Sequence, residues 1–417
     1  MSTALRRGAC PGLSAPMATG DGLLARFAPL DCIPLGAFIA FCAAAGRHGN
    51  GTIEITARGS LQVRGLTPAS APRFASAVAT LDIAAGEGVP VVVDPLADDP
   101  GVLIDTAALA ARLRRAIAAA ALVLAPKVCV LLDGGGRLHL DALAADVRLT
   151  AAASRQAPSL HVAVGGDAAS ALPLGSIAPD RVVDAVVGIL GVIAARGPAA
   201  RALDVVRDEG AGPFRAAVDG DVEPALARPP RPPAEPIGRH PLRDGTVALG
   251  VGLAFGHAHA GALTELARAA GAGGVGLVRP APGRALLLLG VTEEIAAALA
   301  TSAEQLGFLA RADDPRRRVI ACPGKPDCAS GLIAARALAA ELARELPPGS
   351  ETIHISGCCK GCAHPAPAAL TVVGTARGCG IVQYGPAHAE PRYHVDPAAL
   401  AAEVARIAAE GSEAVHG

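Results

Sequence analysis

The stretch Ala321-Cys322-Pro323-Gly324-Lys325-Pro326-Asp327-Cys328, answered by Ser356-Gly357-Cys358-Cys359-Lys360-Gly361-Cys362, governs how the rest of the chain is read. Its spacing is C-x5-C, then 29 residues, then C-x3-C, and five of the ten cysteines fall within these 41 positions. Every short gap holds Gly or Pro, residues that let backbone approach a small object closely and fix the turns around it. Three kinds of cross-link compete for such a set. A disulfide framework belongs to secreted chains. Structural zinc prefers cysteine pairs separated by roughly two to four residues, which C-x5-C exceeds. An iron–sulfur cluster held by four thiolates tolerates the mixed spacing and is the reading favoured here.

The spacing resembles the cluster motif of the sirohaem-containing sulphite and nitrite reductases. The resemblance implies a 4Fe-4S cluster on Cys322, Cys328, Cys358 and Cys362, with Cys359 spare between the last two. Cys359 in place of Cys358 would give C-x2-C, which is also chemically possible. In the reductases the fourth cysteine also bridges to the sirohaem iron.

Composition limits the alternatives. A chain of 417 residues exceeds one ordinary core, so two to four domains are expected. Aromatics make up 2% and Trp is absent, so the core must be built from Ala, Val, Leu and Ile. A formal net charge of -1 leaves no footprint for nucleic acid or an anionic membrane surface. Arg6 and Arg7 are followed by a Gly/Pro loop rather than an apolar core, which argues against a signal peptide. The apolar runs 116–126 and 182–195 are too short or too broken to span a bilayer. Free thiols then point to a reducing cytoplasm.

Along the chain, residues 1–20 are expected as an extended arm, with a first strand at 23–27 and a helix at 35–45 closed by Gly46. Ile53, Ile55, Leu61 and Val63 alternate with polar residues, which predicts two strands around a turn, and a helix follows at 71–81. The same order returns about 225 residues later: strand 245–252, helix 259–270, strands 274–279 and 284–291, helix 292–306. A repeat of that period is a duplicated domain rather than a solenoid. Arg58 and Arg279 take comparable places in the two copies on this reading. Between them, Lys127–Leu140 reads as a hairpin with an Asp133-Gly134 turn. The Pro/Arg-dense run 223–241 reads as a linker.

The reductase family is built from two ferredoxin-like half-domains, each followed by a larger α/β unit. The resemblance therefore implies a duplicated α+β architecture. It divides into an arm and first half-domain (1–85), a first α/β domain (86–222), the linker (223–241), a second half-domain (242–308) and a cluster domain (309–417).

Within the family, the basic clamp on a bound oxyanion separates the branches. Arg58 in Thr56-Ala57-Arg58 fits the first position and Lys127 the third, but Val89 and Cys129 stand where the other two basic groups belong. Each lost donor of that kind costs about 2.7–4 kcal/mol of barrier, so sulphite would be reduced poorly. The run Gly8–Phe27 resembles the opening of the precorrin-3B synthases of aerobic cobalamin biosynthesis. That branch implies an O2-dependent monooxygenase that converts precorrin-3A to precorrin-3B and draws on an electron donor, NADH or a reductase. Arg58, Lys127, Arg279 and Arg284 are then candidates for substrate carboxylates, because arginine's fork matches a carboxylate. A sirohaem-dependent sulphite or nitrite reductase is the alternative. The resemblance also suggests a mononuclear non-haem iron, which usually takes two histidines and a carboxylate. His257, His259, His354, His364, His388 and His394 show no diagnostic spacing, and no ligands follow from them.

Overall fold

The structure, a computed structural model, describes residues 11–86, 88–153, 158–223, 231–346 and 351–416, with side chains described as far as residue 408. Residues 1–10 of the expected arm and 224–230 of the expected linker lie outside the described residues.

The first half-domain contains β1 (Met17–Thr19), β2 (Gly22–Phe27), β3 (Ile33–Pro34), α1 (Leu35–His48), β4 (Thr52–Ile55), β5 (Leu61–Leu66) and α2 (Ser70–Ala79). The alternation at Ile53, Ile55, Leu61 and Val63 puts all four side chains inward, at most 1% exposed. Gly46 does not end α1: the helix runs on to His48 and is closed at Gly49, whose N–H donates to the Ala45 carbonyl. Part of the expected arm is β1, an edge strand paired with β2.

The first α/β unit follows as β6 (Val91–Val93), α3 (Thr106–Ala119), β7 (Val130–Asp133), β8 (Ala145–Ala152), β9 (Ser159–Gly166), β10 (Leu172–Ile177), α4 (Val182–Ala195), α5 (Ala202–Glu209) and α6 (Gly212–Ala217). The hairpin expected at Lys127–Leu140 does not form. β7 pairs in parallel with β6 and β8, and all four of its residues are buried, as a central parallel strand requires.

The second half-domain comprises β11 (Gly238–Pro241), β12 (Val247–Gly252), β13 (His257–His259), α7 (Ala260–Ala272), β14 (Leu277–Ala281), β15 (Ala285–Val291) and α8 (Glu293–Gln305). β11 lies inside the expected linker and forms the edge of this sheet. The last unit is β16 (Val319–Ala321), α9 (Ala335–Glu345), β17 (Ile353–Ser356), β18 (Ala368–Thr375), β19 (Gly378–Gly385), β20 (Tyr393–Val395) and α10 (Leu400–His416).

The duplication is reciprocal. β3 leaves its own half-domain to pair with β14, and β13 leaves the other to pair with β4. The backbone N–H of Leu35 donates to Gly276, and that of Ala260 donates to Gly51. Both members of the second pair are the mates of the first under one offset of 225 positions. The two half-domains share one core, in which Phe38, Phe41 and Phe74 join Leu263, Leu266 and Leu288. Each such buried side chain contributes roughly 1.5–3 kcal/mol. The α/β units repeat as well: β6-β7-β8-β9-β10 and β16-β17-β18-β19-β20 both run parallel, parallel, antiparallel, antiparallel. The duplicated α+β architecture expected from the sequence is the fold.

Candidate metal and substrate site

β16 and β17 are adjacent and parallel, so their carboxyl ends open on the same edge of the sheet. Cys322 follows β16 directly, and Gly357-Cys358 follows β17. In open α/β sheets this edge is where ligands bind. Cys322 is 8% exposed, and its Sγ accepts the N–H of Gly357 at 3.0 Å. Burial pushes its thiol above the ordinary range; the Gly357 and Gly324 N–H groups pull the other way, and Cys362 and Cys358 push it further up. Three of the four predicted ligands therefore share one electrostatic neighbourhood. Cys328 is held by its own N–H to Gly324 and by the N–H of Ala329 to the Gly20 carbonyl, both at 2.8 Å. A Cβ on Gly20 would lie 2.2 Å from the Cys328 sulfur, so only glycine fits against it. Cys359 is exposed, and its neighbour Lys360 donates to Ser330 Oγ at 2.7 Å.

Among the described residues, no three of these sulfurs lie within 4.8 Å of one another. Thiolates on one zinc ion, bound at about 2.3 Å, could stand at most about 4.6 Å apart. The donor set, four soft thiolates on glycine-rich loops with an N–H aimed at one sulfur, fits an iron–sulfur cluster.

A buried charged wall stands beside this loop. Arg64 on β5 grips Asp21 through Nε at 2.7 Å and Nη2 at 3.0 Å, and reaches Glu54 at 3.4 Å. Arg336, in the first turn of α9, lies 3.6 Å from Glu54 and 3.8 Å from Asp327. His257 pairs with Glu54 in the β13–β4 ladder; burial first, then the cations Arg336 and Arg64, lower its pKa to about 3. His354 on β17 is fully buried, with its ring 5.6 Å from that of His364. Burial first, then His364 and Arg284, lower the pKa of His354 to about 4.

The four predicted substrate residues are not gathered in one place. Arg58 sits in the β4–β5 turn, with Nη1 3.2 Å from Cys129 Sγ and Nη2 2.5 Å from the Ala144 carbonyl. Lys127 is exposed two positions before Cys129. Arg284 has φ 63° in the β14–β15 turn and donates to the Ala363 carbonyl at 3.2 Å, next to Cys362. Arg279 lies mid-strand beside Cys32, not in the turn. The equivalence of Arg58 and Arg279 is therefore corrected: Arg279 is the third residue of β14, as Glu54 is of β4, and the turn residue matching Arg58's position lies beside Arg284. The two turns meet, with Arg58 bridged to Pro282.

Sequence reading missed the one compact trio of metal-type donors among the described residues, Asp133, His139 and Asp141, all within 4.8 Å. The signal was Asp-x5-His-x-Asp at the exit of a buried strand. The Arg231 guanidinium already binds both carboxylates, and His139 Nε2 meets the Pro232 carbonyl at 2.8 Å. This closed set does not fit an open non-haem iron site. It borders a cavity of about 690 Å³ lined by Leu138, Arg148, His161 and Pro282. Among the described residues, no helix is long and apolar enough to cross a membrane.

Comparison with known proteins matches these features. Residues 17–81 match the family model "Nitrite/Sulfite reductase ferredoxin-like half domain". The NirA protein of Mycobacterium tuberculosis has the same fold, with a TM-score of 0.72 over 92% of this chain and 79% of that one, at 18% identity. A precorrin-3B synthase from Sinorhizobium sp is 40% identical over 410 residues, 97% of this chain and 88% of that protein. With the duplicated reductase-like fold beside them, these matches show that the chain belongs to the precorrin-3B synthase family.

Proposed function

We propose that this protein is an O2-dependent monooxygenase that converts precorrin-3A to precorrin-3B in cobalamin biosynthesis. One oxygen atom of O2 enters the ring at C20, and a lactone closes from the ring A acetate. The second oxygen leaves as water, which takes two electrons and two protons from an external donor, NADH or a reductase. The single observation that carries the reading is the 40% identity to a precorrin-3B synthase over almost the whole chain.

Cys322, Cys328, Cys358 and Cys362 are the residues we propose for a 4Fe-4S cluster. When bound, the cluster supplies single electrons next to the substrate. Arg58, Lys127, Arg279 and Arg284 are proposed for substrate carboxylates. Arg284 has the firmest support, because its guanidinium reaches the backbone next to Cys362. Arg58 holds Cys129 Sγ and the Ala144 carbonyl with its two terminal nitrogens, contacts that a substrate carboxylate would have to replace. We propose no ligands for the mononuclear non-haem iron implied by the resemblance.

Anaerobic purification followed by iron, sulfide and visible-absorbance analysis tests the cofactor reading. About four irons and four sulfides per chain without a sirohaem band are expected. A stoichiometric sirohaem band would establish the reductase instead.

A further inference from the structure

Arg64 and Arg336 are neighbours across the same carboxylate, Glu54, yet their guanidinium groups are in opposite states. Arg64 presents its Nε–Nη2 edge to Asp21, a bidentate pair of the kind that recognises carboxylates most strongly. The same edge of Arg336 makes no hydrogen bond: Nε and Nη2 are both buried and without a hydrogen-bond partner, and Nη2 is only ion-paired with Glu54. The nearest carboxylates stop at 3.6 and 3.8 Å, beyond hydrogen-bonding distance, and only 18% of the side chain is exposed. His257 Nδ1, beside it, is also buried and unpartnered. Buried donors are costly to leave unmade, and these two share one planar edge, whose spacing matches the two oxygens of a carboxylate.

We propose that the Nε–Nη2 edge of Arg336, with His257 at its side, receives one carboxylate of the tetrapyrrole substrate at the margin of the cysteine-bearing loop. The inference rests on the functional reading above and names a contact that reading does not contain. Asp327, one residue before Cys328, faces Nη1 of Arg336, and Glu54 faces Nη2. A carboxylate docked here therefore anchors the ring rim against the loop that carries Cys328. His257 stays neutral through burial and the adjoining cations, so it adds a hydrogen bond without adding charge.

The test is an anaerobic titration of the cluster-loaded protein with uroporphyrin, an unreactive ring with eight carboxylates, followed by fluorescence quenching. Arg336→Met is expected to raise Kd about tenfold with cluster absorbance unchanged. Arg336→Lys keeps the charge but not the fork and should lose several-fold. Arg336→Met binding as tightly as wild type, with its cluster intact, overturns the proposal. If Arg336→Met does not hold its cluster, equal affinity of Arg336→Lys and wild type overturns it. Failure of wild type itself to bind the ring would instead strike the functional reading.

Discussion

Arg58 Nη1 stands 3.2 Å from the sulfur of Cys129, a residue 71 positions later in the chain. The resemblance read from the sequence assigns both positions to the set of four basic groups expected around an oxyanion, Arg58 keeping its place and Cys129 replacing a basic residue. Here the arginine donates to the thiol and to the Ala144 carbonyl, so the clamp is closed on itself. Wild type is expected to show no sulphite or nitrite reduction above background with a strong artificial electron donor. Cys129→Ala removes one acceptor and a buried sulfur, and should lower stability by about 1–2 kcal/mol in a denaturant melt without loss of iron.

Gly20 touches the cysteine-bearing loop from the far end of the chain. A methyl group there would overlap the Cys328 sulfur, 2.2 Å away, so Gly20→Ala should displace a proposed ligand. The expected result is loss of most cluster iron and of its visible absorbance, with far-ultraviolet circular dichroism retained. Full iron content in Gly20→Ala would show that Cys328 is not where the cluster is held.

Serine substitutions separate the ligands from the spare thiol. Cys322→Ser, at the buried end of β16, should purify without a stable cluster, whereas Cys359→Ser, at an exposed position, should retain it. Colorimetric iron and sulfide counts decide between them, and the reverse pattern would take Cys322 out of the ligand set and put Cys359 into it.

His354 gives the fold a pH dependence. An unfolded histidine titrates near 6.5, whereas burial holds this one at about 4. As pH falls, the unfolded chain takes up the proton first. The contribution of His354 is therefore complete above about pH 6.5 and is lost between there and pH 4. Between pH 7 and pH 5 wild type should lose about 2 kcal/mol more stability than His354→Phe, measured by denaturant unfolding. Parallel losses in the two proteins would mean that the buried ring is not the titrating group.

What the sequence disclosed follows the range of each signal. The cysteine spacing and the half-domain hairpins were legible, because a motif and a period of two are local. β8 was missed because Asp146, Arg148 and Thr150 interrupt its apolar run, yet all three are buried. Asp146 is gripped by Arg201, and Arg148 is satisfied by backbone carbonyls. The Asp133-Gly134 pair imitates a hairpin turn. In the fold, the Asp133 carboxylate instead accepts the N–H groups of Gly135 and Leu140 and shapes a loop out of a parallel strand. β3 and β13 are two and three residues long, and their partners lie in the other half-domain, so no nearby residue announces them. The mismatch of Arg58 with Arg279 had the same origin: a repeat read from composition fixes the period but not the register.

The central claim is oxygen insertion into a tetrapyrrole, and its most direct measurement is product mass. The cluster-loaded protein, precorrin-3A, an electron donor and isotopically labelled O2 should give a ring heavier by one labelled oxygen atom, with no conversion under argon. Recovery of unchanged precorrin-3A in the presence of O2 and reductant, from protein with a full cluster, would contradict the account.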